Sequence, residues 1–194
     1  EDLKSMADDI VANVERAAGG IKHVRDFARQ SDVVKSKVNI NDPIQDVFKV
    51  LGHQLKVHEI KVELDLDENV PKIMAEHNRL EQVFINLVTN AIDAMDEKSE
   101  QPENGSTEKR LTIKSFAENG RVSVDVSDTG IGMSEEIKNK ILEPFFTTKK
   151  IGKGTGLGVS ISYGIIKDYE GTIEIESEVG KGTTFKLSFP ALAP

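Results

Sequence analysis

Residues 128–158 read DTGIGMSEEIKNKILEPFFTTKKIGKGTGLG. An acid and two spaced glycines open this stretch. Four glycines at alternate positions, Gly152, Gly154, Gly156 and Gly158, close it. Alternate glycines strip side chains from a run of backbone, so that bare N–H groups can converge on an anion. The residues after Gly158 have a helical period, with Val159, Ile161, Ile165 and Ile166 able to share a face. A glycine-rich run that feeds a helix N-terminus is a phosphate cradle by mechanism. The stretch is therefore expected to bind a nucleotide and to close over it as a lid-length loop. It is not a Walker-A loop, since no Gly-Lys-Ser/Thr ends it. Nor is it a dinucleotide fingerprint, since no hydrophobic strand leads straight into it.

Outward from this stretch, the spacing predicts an α+β chain. Leu3, Met6, Ile10, Val14, Ala17, Ile21, Val24 and Ala28 recur at threes and fours, which predicts one long helix over residues 1–33. Its persistent apolar stripe fits a helical bundle or dimer. A short strand is expected at Val38–Ile40. A helix then starts at Asn41-Asp42-Pro43, with a cap residue and a first-turn proline. Ile60–Leu66 alternates as a strand, and Ile73-Met74 suggests a strand end. A second helix spans about 76–95, with Leu80, Val83, Phe84, Leu87, Val88, Ala91 and Ile92 on its apolar face. The polar run 99–109 has no core residues and is expected to be a solvated loop. Leu111–Phe116 and Val122–Val126 form a hairpin around Asn119-Gly120. Thr172–Ser177 and Thr183–Phe189 form another. The predicted architecture is a two-layer sandwich: a mixed sheet with helices on one face, preceded by one long helix. The domains expected are that helix (1–33) and a globular unit (34–194).

Composition narrows the function classes. No cysteine occurs among the 194 residues, which removes disulfide, thiolate and zinc–sulfur chemistry. The net charge of −8 speaks against a nucleic-acid partner. No apolar run is long enough to span a bilayer. The chain begins in mid-pattern and is read as a portion of a longer protein.

Two further constellations carry chemistry. Asn86, Asn90 and Asp93 stand at i, i+4 and i+7 and share a helix stripe. Asparagine is a poor helix-interior residue, but its carbonyl is a hard, neutral ligand suited to magnesium that also holds phosphate. Asp128 ends a strand, where its carboxylate can accept from an exocyclic amine such as that of adenine. Gly130 and Gly132 would let backbone approach the base.

In combination these motifs resemble the sensor histidine kinases. Asn86-Leu-Val-Thr-Asn90-Ala-Ile-Asp93-Ala resembles the N box of that family, and Asp128-Thr-Gly130-Ile-Gly132 its first glycine box. Glu143-Pro-Phe145-Phe146-Thr-Thr148-Lys149 resembles the F box, and Gly154-Thr155-Gly156-Leu157-Gly158 the second glycine box. Gly182-Thr183-Thr-Phe185 resembles the closing strand of the Bergerat ATP-binding fold. All stand in the family's order, over about residues 37–190.

The resemblance implies ATP and Mg2+ as ligands and transfer of the γ-phosphoryl to a histidine, then to a response regulator receiver domain. It implies that Asn90 ligates magnesium with Asn86 in support, and that Asp128 reads adenine with Thr183 helping through water. Lys149 would reach the terminal phosphate, Phe145 and Phe146 would anchor the lid, and residues 154–158 would supply phosphate-facing amides. The first helix resembles the second helix of the dimerisation and phosphotransfer bundle, implying a homodimer in the full-length protein. The domain itself would be cytoplasmic, whether or not the full-length protein is membrane-anchored.

Among the four histidines, His58-Glu59 imitates the start of a phospho-acceptor box, but no proline follows where one is needed. His23 is followed by Val-Arg. The acceptor is expected upstream of Glu1, so this chain should bind ATP without phosphorylating itself. Related ATPases such as gyrase carry a glutamate where Asn86 stands, and asparagine cannot take a proton from water. The alternative function is a nucleotide-gated interaction module or ATPase of the gyrase, chaperone and mismatch-repair superfamily, without histidine phosphotransfer.

Overall fold

The computed structural model describes residues 34–100, 108–149 and 154–193. The helix read over 1–33, His23, and the glycine and lysines at 150–153 lie outside the described residues, as does most of the polar run at 99–109.

The elements follow the predicted order. They are β1 (Ser36–Val38), α1 (Asn41–Val57), β2 (Lys61–Leu66), β3 (Ile73–Ala75), α2 (His77–Ser99), β4 (Arg110–Glu118), β5 (Arg121–Asp128), α3 (Glu135–Lys140), α4 (Gly158–Asp168), β6 (Thr172–Glu178) and β7 (Gly182–Pro190). Five strands form a sheet in the order β2-β4-β5-β7-β6. β2 and β4 run parallel and the other neighbours antiparallel, so the sheet is mixed. The α+β sandwich is as expected. β1 and β3 pair separately, Val38 against Ile73.

Strand alternation explains the layers. Leu111 and Ile113 of β4, Val122, Val124 and Val126 of β5, and Leu187 and Phe189 of β7 are buried. Lys114, Asp125 and Lys186 share the opposite, polar face of the same strands, since adjacent strand residues point to opposite sides. The apolar face is covered by α1, α2 and α4. α2 lies between the other two helices and buries Leu80, Val83, Phe84, Leu87 and Val88 completely or nearly so. Such a stripe leaves the opposite face of α2 free for polar residues, and the asparagines stand there. The β4–β5 hairpin turns at Asn119 (φ 49) and Gly120 (φ 74), the two positive φ values that a type I′ turn requires.

Three local expectations are corrected. β1 ends at Val38, and Ile40 is fully buried in helical backbone just before α1. The residue at the cap position of α1 is Ile40, which offers no side-chain cap, and Asn39 Oδ1 before it accepts from Asn41 N at 3.0 Å. Asn41 instead turns inward. It donates to Asp67 O at 2.9 Å and accepts from Ser115 Oγ at 2.7 Å, which satisfies a buried polar side chain. Within the loop read over 128–158, Ser134 caps the short helix α3 by accepting from Ile137 N at 3.4 Å. Glu135 and Glu136 in its first turn favour the positive end of the helix dipole. That Ser-Glu-Glu start was visible in the sequence.

Among the described residues no helix is long and apolar enough to cross a membrane.

Candidate nucleotide site

A cavity of about 460 Å³ opens between α2, the loop after β5, the segment after α3, and the start of α4. Asn86, Asn90 and Asp93 of α2 line one wall. Asp128 and Thr183, paired across β5 and β7, close one end. Thr148, Lys149, Gly154, Thr155, Gly156 and Gly158 supply the opposite side. Ile131, Met133, Ile137, Ile141 and Phe146 add apolar lining. Apart from Phe146 these carry no signal in the sequence, because Ile131 and Met133 stand in a loop, and Ile137 and Ile141 stand in and just after a helix too short to show an apolar period.

The asparagine stripe is held from behind. The Asn86 side-chain amide donates to Gly158 O at 3.1 Å and to Ser162 Oγ at 3.2 Å. Ser162, fully buried, donates to Gly158 O at 2.9 Å. A backbone carbonyl can only accept, so it dictates which end of the Asn86 amide faces α4. The carbonyl end is thereby left for the cavity. Lys149 Nζ sits 3.2 Å from Asn90 Oδ1 and 2.5 Å from Asp93 Oδ2. An ammonium thus rests on Asn90, the residue expected to ligate magnesium, and on Asp93 beside it.

At the far end, Asp128 Oδ1 accepts from Gly130 N at 2.8 Å. Burial pushes the Asp128 carboxyl up to about 6. Backbone N–H groups of Gly130 and Thr183, and the Lys98 charge, oppose that shift. Lys98 donates to Thr129 O at 2.7 Å, and Ile131 N donates to Ala94 O at 3.0 Å, so α2 fixes the loop from below. Gly132 has φ +68, and a Cβ there would stand 2.0 Å from Glu178 O. Only glycine allows the loop to pass this close to the β6–β7 turn.

Three predicted site residues stand off the cavity wall. Gly130 lies beneath it, packed on Ala94. Leu157 is buried in the protein. Phe145 is 68% exposed and does not anchor the lid. Its backbone is left-handed (φ 67) and lies where a Gly156 Cβ would intrude at 2.4 Å, which throws the ring outward, and Phe146 lines the cavity in its place. His58, read as structural, is bonded through Nδ1 to Asp96 Oδ2 at 2.6 Å, and His77 through Nε2 to Asp46 Oδ2 at 2.9 Å.

The histidine kinase-, DNA gyrase B- and HSP90-like ATPase family matches residues 75–193, which contain every wall of this cavity. The catalytic domain of histidine kinase ThkA is 34% identical, covers 81% of this chain and 95% of its own, and superposes with a TM-score of 0.67. This chain belongs to the sensor histidine kinase catalytic domains of that ATPase family.

The sensor kinase CckA of Brucella abortus (strain 2308) is 37% identical over 195 residues, 95% of this chain and 20% of CckA. Histidine kinase ThkA in complex with the response regulator protein TrrA is 28% identical, with a TM-score of 0.74, over 99% of this chain and 52% of that one. The domain described here spans from about a fifth to about two fifths of the length of the curated relatives it matches.

Proposed function

We propose that the cavity binds ATP with Mg2+ and presents the γ-phosphoryl to a histidine of the full-length kinase, for relay to a response regulator receiver domain. One observation carries this reading. The cavity has a hydrogen-bond-accepting end, Asp128 and Thr183, and a cationic, amide-rich end, Lys149 with the N-terminus of α4. A nucleotide has the complementary polarity, with an amine-bearing base at one end and phosphates at the other.

In this reading the Asp128 carboxylate accepts from the exocyclic amine of adenine, and Thr183 assists. The main-chain N–H groups at 154–159 face the phosphates, with Thr148 and Thr155 as hydroxyl partners. Asn90, Asn86 and Asp93 fit a magnesium ion, since they offer hard oxygen donors, and Asn90 and Asp93 already attract the Lys149 ammonium. Magnesium supplies charge neutralisation to the phosphate oxygens when bound. Lys149, displaced from Asn90 and Asp93, then reaches the terminal phosphate. Asn86 offers a carbonyl and cannot take a proton from water, so hydrolysis is slow and positioning governs transfer. The likeness to the ThkA–TrrA complex supports a receiver-domain partner. The helix read over 1–33 would pair two copies in the full-length kinase, and the acceptor histidine would lie outside this chain.

Calorimetric titration with a non-hydrolysable ATP analogue tests the reading. Expected is micromolar binding, about 8 kcal/mol, that weakens without magnesium and in Asn90→Ala. Unchanged affinity in Asn90→Ala would remove the magnesium assignment. Absence of any binding would remove the nucleotide site.

A further inference from the structure

Ser177 of β6 does not line the cavity, yet it connects three parts of the base-binding end. Its Oγ accepts from Met133 N at 2.8 Å, lies 3.0 Å from Gly182 O, and lies 2.9 Å from Thr183 Oγ1. A hydroxyl has one hydrogen and two lone pairs. Met133 N can only donate and Gly182 O can only accept. One arrangement satisfies all four groups: Ser177 gives its hydrogen to Gly182 O and accepts from both Met133 N and Thr183 Oγ1. The Thr183 hydroxyl hydrogen is then committed to Ser177. Toward the cavity Thr183 keeps lone pairs only, beside the Asp128 carboxylate.

We infer that Ser177 is a positioning residue for base selectivity, which holds the Thr183 hydroxyl as an acceptor and so makes this end of the site favour a purine bearing an exocyclic amine over one bearing a carbonyl at the same ring position. The inference rests on the proposed base-binding role of Asp128. An adenine edge offers an N–H directly to these oxygens. At the ring position of the adenine amine guanine carries a carbonyl, which meets the Asp128 and Thr183 acceptors, whereas its own donors, N1–H and the 2-amine, stand at the neighbouring ring positions. Without Ser177 the Thr183 hydroxyl is free to rotate and donate, so the carbonyl becomes tolerable. A plain structural role for Ser177 as a tether of Met133 would weaken both nucleotides alike and leave their ratio unchanged.

The test is the ratio of ADP to GDP dissociation constants, by calorimetry, on the whole 194-residue chain. Expected is that Ser177→Ala narrows the preference for ADP roughly tenfold, the worth of one redirected hydrogen bond. Ser177→Thr, which keeps the hydroxyl, should retain it. Thr183→Val should narrow it as Ser177→Ala does, and adding Ser177→Ala to Thr183→Val should change it no further. A ratio unchanged in either Ser177→Ala or Thr183→Val overturns the inference, and the valine variant decides the matter if the alanine variant does not fold. Asp128→Asn separates the two levels. If it leaves the ratio intact, the base-reading proposal itself fails. If it collapses the ratio while Ser177→Ala does not, only the role of Ser177 fails.

Discussion

Asp128→Asn should make the nucleotide-free domain more stable while it weakens nucleotide binding. The carboxyl stands at about 6 in the folded protein against 3.8 for the unperturbed group. Burial is the largest cause, and it disfavours the charged form. A folded-state value raised above the unfolded one means that the native protein binds protons more strongly. Stability therefore falls as pH rises from about 4 to 6, and the full penalty is present above 6. The difference between the two values corresponds to up to about 3 kcal/mol. Asparagine removes that charge penalty, but it is a poorer acceptor for the Gly130 and Thr183 N–H groups, which offsets about 1 kcal/mol. The expected net gain is about 1–2 kcal/mol at pH 7.5, shrinking to nothing or reversing at pH 4. Urea melts of both proteins at a series of pH values measure it. The same carboxylate, charged, would accept from the base, so affinity for adenine nucleotides should fall about tenfold from pH 7 to pH 5 in the wild type. The nucleotide's own phosphate titrates in this range, and the asparagine variant supplies the baseline to subtract. An Asp128→Asn domain less stable than wild type at pH 7.5, with a difference that does not vary with pH, would refute the reasoning.

Gly132→Ala should destabilise the domain by more than 3 kcal/mol, read as a thermal shift, since its Cβ would meet Glu178 O at 2.0 Å in a backbone of positive φ. Gly158→Ala should leave the melting temperature nearly unchanged, because nothing lies within 3.7 Å of its Cβ, yet weaken nucleotide binding if phosphate approaches there. Lys149→Met should cost less than about 1 kcal/mol of stability, its ion pair with Asp93 being part-exposed, while bringing ATP affinity down toward that of ADP in parallel titrations. Phe84→Ala, at the fully buried centre of α2, should cost about 3–5 kcal/mol in a denaturant melt without altering the nucleotide contacts.

The period of the chain alone determined the elements, since burying one face forces the apolar residues of a helix or strand into register with its geometry. α2 is the case in point: its apolar stripe alone places Asn86, Asn90 and Asp93 together on the other side. The hairpins followed from their turn residues, and the glycine boxes from their spacing. Tertiary structure decided what spacing cannot encode. Whether Phe145 or Phe146 faces the cavity depends on the left-handed backbone imposed where the loop packs on Gly156. Asn41 looked like a cap and became a buried bridge between Asp67 and Ser115, partners far away in the chain. Lys149, expected to reach the terminal phosphate, rests on the acid and amide of α2, which only the tertiary fold brings within its reach. Ser177 carried no signal at all: a serine in an alternating strand is ordinary, and its weight comes only from strand pairing that sets it between Met133, Gly182 and Thr183. Local pattern is written residue by residue along the chain, whereas the direction of a hydrogen bond depends on what folding brings to its other end.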